Sequence, residues 1–170
     1  MVSSAGFALV LSIGFWEFVK FLLYVIFVDC IGVGLLVATA LWYISNKYLI
    51  KPQFKRDELV DVEWGFAFDV HLNAFFPVLI ILHFVQLFFY HLIISGDSLF
   101  AAFFGNTLWI VATFYYVYIT FLGYSSLNIL HKTKLFLYPA IPLFLIYIFT
   151  VAFNWNLSKM LMNFYHYRVL

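Results

Sequence analysis

Charge is what this chain lacks. Only 10% of its 170 residues are Asp, Glu, Lys or Arg, against the roughly 25% that coats a soluble domain. Hydrophobic residues make up 66% and aromatics 24%, so no charged shell can cover an apolar interior. A soluble globular fold is excluded, which leaves lipid as the solvent. Cysteine is almost missing too: the single Cys30 rules out an intramolecular disulfide and says nothing about redox compartment. The N-terminus shows neither the basic start nor the small-residue cleavage site of a signal peptide. Internal repeats, low-complexity tracts and signs of a second domain are not found. With a net charge of +1, nucleic-acid binding has little support, because it needs a basic surface.

What the chain has is long apolar runs. A helix needs about 20 mostly apolar residues to cross the ~30 Å hydrocarbon core. Five stretches qualify or nearly do: the short Val2–Trp16, then Phe21–Ile44, Phe76–Ile94, Leu99–Leu122 and Leu135–Phe153. Closed β-barrels also satisfy their backbone in lipid, but their strands alternate apolar and polar residues. Runs such as Phe75-Phe76-Pro77-Val78-Leu79-Ile80 show no alternation. The expected fold is an all-α, polytopic transmembrane helix bundle of about five spans in a single domain.

The expected connections are short, at Glu17–Lys20, Ser95–Ser98 and Gly123–Lys134, except for Ser45–Phe75. Lys and Arg are retained on the cytoplasmic side of short loops. The loops 45–75 and 123–134 share a side and hold Lys47, Lys51, Lys55, Arg56, Lys132 and Lys134. The other side holds Lys20, Lys159 and Arg168. Six against three places the two loops in the cytoplasm and the tail 154–170 in the lumen or outside. In the long loop the bases are answered by Asp57, Glu58, Asp61 and Glu63, so it forms no polybasic patch.

Polar residues inside the apolar runs are the candidates for function. Asp29 lies near the middle of its span, where a charge costs about 2.5–3.5 kcal/mol on insertion scales. Two readings stay open: an ion or proton path in a small transporter or intramembrane enzyme, or a helix–helix hydrogen bond to Asn106, Thr113 or Thr120. Those three recur every seven residues on one face of the fourth span. Cys30, Gly34 and Ala38 form a small-residue stripe at i, i+4 and i+8, suited to close helix packing or to a dimer contact. His83 and His91 are about two turns apart, too far to share an ion. Nucleophile, phosphate-loop and dinucleotide motifs are absent. Neither catalytic residues nor a cofactor or metal are expected.

The segment Val62–Phe75 has its own pattern. As a helix it lines up Trp64, Phe68, Leu72 and Phe75, with Asp69 and Asn73 on the opposite side. That arrangement suits an interfacial amphipathic helix on the cytoplasmic side, followed at Pro77 by a separate span. Asp69, His71 and Asn73 then make either a cytoplasmic docking surface or a structural elbow. In the tail, Asn156-Leu157-Ser158 is a glycosylation sequon expected to go unused, because it directly follows the last span.

The run Val62-Glu63-Trp64-Gly65-Phe66-Ala67-Phe68-Asp69-Val70-His71-Leu72-Asn73-Ala74-Phe75-Phe76-Pro77 resembles the signature of the unc-fifty family of Golgi multipass membrane proteins. Further similar stretches follow in order: Asp29-Cys30-Ile31-Gly32-Val33-Gly34, Ile44-Ser45-Asn46-Lys47-Tyr48-Leu49, Gly105-Asn106-Thr107-Leu108-Trp109 and Tyr118-Ile119-Thr120-Phe121-Leu122-Gly123-Tyr124. The resemblance implies Golgi residence and a role in vesicle-mediated transport. It implies exchange factors for Arf-type GTPases and nicotinic-type receptor cargo as partners, beside membrane lipid. The inner nuclear membrane and RNA binding are also attributed to the family; it brings no catalytic residues. Two departures stand out. Family members carry a longer N-terminal region, so this chain is expected to be an N-terminally shortened form. Where the family tends to have Gly before Trp-Asn, this chain has Asn154.

Overall fold

The computed structural model describes residues 15–54 and 60–169, and within them the architecture is the expected helical membrane bundle. Helix α1 covers 15–49, with α-helical Phe15–Tyr24 and Val33–Ile44 alternating with π-helical Val25–Gly32 and Ser45–Leu49. Helix α2 is Trp64–Ile94 and α3 is Leu99–Ser125. A 3₁₀ turn, Thr133–Leu137, leads into α4, Ala140–Ala152, and α5 is Leu157–Val169. Among the described residues, three stretches are long and apolar enough to cross a membrane: Trp64–Ile94, Leu99–Ser125 and Thr133–Ala152. The expected span 21–44 is helical throughout, inside α1.

Small and polar residues make up much of the interior, and most of the large apolar residues face outward. Ala38, Ala67, Ala74, Ala101, Ala102 and Ala112 are buried, together with Ser45, Asn106 and Thr120. Phe88 and Leu92 are 70% exposed. Helix α4 takes this furthest. Its one buried residue is Thr150, while Ile141, Phe144, Leu145, Ile146, Ile148 and Phe149 all face outward. In water that helix would be inside out. In lipid it is the stable arrangement, because association there rests on close backbone approach and polar contacts rather than on burying apolar area.

Three boundaries differ from the sequence reading. No connection exists over Glu17–Lys20, because α1 is already helical at Phe15 and continues. Neither Gly nor Pro occurs between Phe15 and Ile31 to break it. Most of the expected first span, residues 1–14, lies outside the described residues, as do Lys55, Arg56, Asp57 and Glu58 of the long loop.

The second difference concerns Pro77, which starts no separate span: α2 is one helix of 31 residues, and the segment expected at the interface is its first part. Proline lacks the N–H that would continue the ladder. Here the helix widens into a π segment, Ile81–Val85, one turn further on, and carries on as membrane helices can. Its length, about 46 Å, exceeds one crossing, so it tilts or projects from the hydrocarbon layer. Thirdly, the tail is no free end. Its helix α5 folds back against α3 and the beginning of α1.

Candidate functional site

Helix α2 turns Ala67, Val70, His71 and Ala74 to the bundle and packs against α1 and α3. This splits the expected docking trio. Asp69 and Asn73 are exposed, and the Asn73 side chain donates to the Asp69 carbonyl oxygen at 2.9 Å. His71 is 3% exposed. The reason is helical geometry: at about 100° per residue, Asp69 and Asn73 share a face and His71 lies opposite. His71 Nδ1 is 2.7 Å from the Tyr116 hydroxyl, and its ring stacks on Phe75 at 5.6 Å.

The aromatic stripe is divided as well. Trp64 and Leu72 are exposed, Phe68 and Phe75 half-buried. The Trp64 indole N–H donates to Thr39 Oγ1 at 3.1 Å, tying α2 to α1. Gly34 and Ala38 are buried where α1 meets α2, and a Cβ on Gly34 would stand 3.1 Å from His71 Nε2. The side chains of Asp29 and Cys30 lie outside the described residues.

The two loops that share the basic residues meet at one end of the bundle. Ile50 and Leu130 form an antiparallel bridge, flanked by Lys51 N–H to Ile129 O at 3.0 Å and His131 N–H to Leu49 O at 2.8 Å. Lys51 Nζ also donates to the Asn128 carbonyl. The Asn46 amide clamps the Val62 backbone at both atoms, donating to Val62 O at 2.9 Å and accepting from Val62 N–H at 2.7 Å. Beneath these bonds lies an apolar cluster of Leu49, Ile50, Val62, Ala67, Val70, Tyr124, Leu130 and Phe136. Tyr124 is fully buried, stacked on Phe136 at 4.4 Å and edge-on to Phe66 at 5.7 Å.

Amides hold the opposite end. Asn106, 1% exposed, donates to Thr150 Oγ1 at 3.1 Å and to Trp155 O at 2.7 Å, and accepts from Leu157 N–H at 3.0 Å. Asn156 caps α5 by accepting from Lys159 N–H at 3.1 Å, and donates to Ile94 O at 2.8 Å. Ser158 is buried and accepts from the Trp109 indole N–H at 3.2 Å. Asp97 and Lys159 pair at the surface, and the ammonium holds the Asp97 carboxyl below its ordinary range.

Asn106 is therefore spent on the α4–α5 connection. Thr113 donates to the carbonyl of Trp109 on its own helix at 2.9 Å, while Thr120 is buried and borders the same cavity as His71. The seven-residue recurrence does not act as one polar stripe.

The chain matches the UNC-50 family over residues 1–166. It is 56% identical to Protein unc-50 homolog of Bos taurus and 56% to that of Homo sapiens, each over 168 residues. The Drosophila melanogaster homolog is 46% identical over the same length. The chain belongs to the UNC-50 family. These alignments cover 99% of this chain but 64% of each mammalian relative and 60% of the insect one. No solved structure matches it.

The turn that ends α4 is closed by its own backbone. Asn154 has φ 53°, in the left-handed region. Asn154 N–H reaches Val151 O at 3.1 Å and Trp155 N–H reaches Thr150 O at 2.8 Å, a Schellman cap on α4. Glycine and asparagine are the residues that tolerate this backbone. Asn154 is therefore suited to this position by its backbone. The sequon is likewise consumed by structure, since its Asn156 amide is buried and bonded. Asn46, Asn156, Ser158 and Tyr124 were not singled out by composition or spacing as structural residues. Only Asn156 carries a local signal, an asparagine just ahead of a helix.

Proposed function

We propose that this chain acts in vesicle-mediated transport at the Golgi membrane, including delivery of nicotinic-type receptors to the cell surface, through protein contacts and without chemistry of its own. One observation carries the reading: the match to the UNC-50 family over residues 1–166. The arrangement of buried polar groups supports it. Asn106 and Asn156 close on backbone and side-chain partners within the bundle, which suits a fold-holding role better than a transport path. Because the chain spans 64% of the length of its mammalian relatives, exchange factors for Arf-type GTPases and receptor cargo enter as partners of this proposal alone.

On this reading the contact surface is the basic-loop end, facing the cytosol, with Asp69 and Asn73 exposed on α2 and His71 serving the interior. The test is rescue. In cells depleted of their own unc-50 homolog, this chain should restore surface nicotinic-type receptor, and an Asp69→Ala/Asn73→Ala variant should reach the Golgi without restoring it. Failure of the unaltered chain to rescue while present at the Golgi would refute the transport reading. Full rescue by the double variant would remove Asp69 and Asn73 from the contact.

A further inference from the structure

The helices around His71 leave a cavity of about 370 Å³, walled by Val33, Val37 and Leu41 of α1, Phe75 of α2, Val117 of α3 and Leu143 of α4. Two of its polar wall groups are engaged with protein, His71 Nδ1 with the Tyr116 hydroxyl and Thr113 with its own helix; the Thr120 hydroxyl, buried on the same wall, has no hydrogen-bond partner among the described residues. What remains is an apolar space among helices that cross the membrane, and hydrocarbon is its natural filling.

Phe136 and Pro139, at the turn that opens α4, close one side of this space. The other face of that turn borders a second cavity of about 420 Å³, lined by Lys132, Thr133, Lys134, Leu135 and Tyr138. Its chemistry is the opposite. Both lysines are exposed, no acid lines it among the described residues, and the sequence from Ser98 to Leu170 contains no Asp or Glu at all. Tyr138 is exposed beside them, in the manner of an amphipathic ring at the headgroup level.

A basic, hydrogen-bonding cavity on one side of a five-residue turn and an apolar one on the other match the two ends of one molecule. We propose that the Thr133–Leu137 turn is straddled by an anionic glycerophospholipid from the leaflet on the basic-loop side. Its phosphate-bearing head sits on Lys132 and Lys134, and one acyl chain occupies the cavity beside His71. Charge complementarity selects the head, because two lysines with no carboxylate beside them among the described residues of the cavity favour an anion over a zwitterion. The apolar lining selects a chain over a soluble phosphate compound, which would leave that cavity unfilled.

The experiment is lipid retention by the purified full chain, read by native mass spectrometry after exchange into nanodiscs holding phosphatidylserine and phosphatidylcholine in equal amounts. Phosphatidylserine should be retained about tenfold over phosphatidylcholine. Lys132→Asn with Lys134→Gln should abolish the preference and leave the fold intact, since both sites are exposed and asparagine tolerates the left-handed backbone that Lys132 adopts at φ 54°. Val37→Phe, which narrows the apolar cavity, should lower retention of both lipids while the melting temperature shows the bundle still folded. Equal retention of the two lipids, or a preference that survives loss of both lysines, overturns the proposal. So does unchanged retention in a folded Val37→Phe variant, or displacement of the lipid by millimolar inorganic phosphate alone.

Discussion

The two ends of this bundle are closed by different physics. At the basic-loop end, chain is available: loops long enough to fold over the helix termini bury Leu49, Ile50, Val62, Leu130 and Phe136 around Tyr124. Backbone pairs with backbone across the bridge at Ile50 and Leu130. At the opposite end the connections are a few residues long and cannot build a cluster. The helix ends there leave carbonyls and N–H groups without partners, and side-chain amides answer them: Asn156 takes Ile94 O, Asn106 takes Trp155 O and Leu157 N–H. A cluster of many contacts spreads its energy, whereas an amide network concentrates it in one or two residues. The two ends should therefore fail differently.

The largest effect is expected from Asn106→Leu. It keeps a similar volume but removes the Asn106 partner of the part-buried Leu157 N–H and Trp155 carbonyl, and of the buried Thr150 hydroxyl. A loss of about 2–4 kcal/mol is expected, read as a drop in thermal unfolding temperature of the purified protein. Next comes the densest point of the other end. A Cβ on Gly123 would lie 2.8 and 2.9 Å from the two Val70 methyl carbons, and valine cannot swing aside. Gly123→Ala should cost about 1–3 kcal/mol through overpacking. Adding Val70→Ala should recover part of that loss, whereas no second substitution should recover Asn106→Leu.

Composition alone yields the membrane class, and the same pattern makes two helices readable: apolar runs mark α3 and α4 to within a few residues, whereas α2 begins at Trp64, well ahead of the span expected from Phe76. The failures are instructive. The aromatic stripe Trp64–Phe68–Leu72–Phe75 reads as the interfacial anchor of its helix, yet Phe68 and Phe75 are half-buried and the face turned to the bundle is Ala67, Val70, His71 and Ala74. In lipid, size outranks hydrophobicity in deciding what lies inside. Pro77 looks like a boundary, but α2 runs on through it as α-helix to Ile80. Asn106 was legible as a buried polar residue. Its partners were not, because they lie 44 to 51 positions further along the chain. His71 was grouped with Asp69 and Asn73 by proximity in sequence, though helical rotation separates them.

A smaller effect is expected at Asn154. Asn154→Ala should cost about 1–2 kcal/mol for the left-handed backbone, while Asn154→Gly should leave stability unchanged. That pair separates backbone strain from any role of the side chain. The smallest effect belongs to Asp97. Its folded-state carboxyl lies below the ordinary range because of Lys159, so any stability it contributes is present above its unfolded value and lost as pH falls through the folded one. The pair is exposed to water and salt, so Asp97→Asn should give a melting temperature indistinguishable from the parent at neutral pH and a flatter dependence below it.

Site-resolved hydrogen exchange tests the contrast most directly. In Asn106→Leu the amides of Leu157 and Lys159 should lose protection while that of Val62, held by Asn46 at the other end, stays as slow as in the parent. In Asn46→Leu the pattern should reverse, with Val62 deprotected and Leu157 unchanged. Equal deprotection of both ends by either substitution would show a single cooperative unit and contradict the separate closure of the two ends.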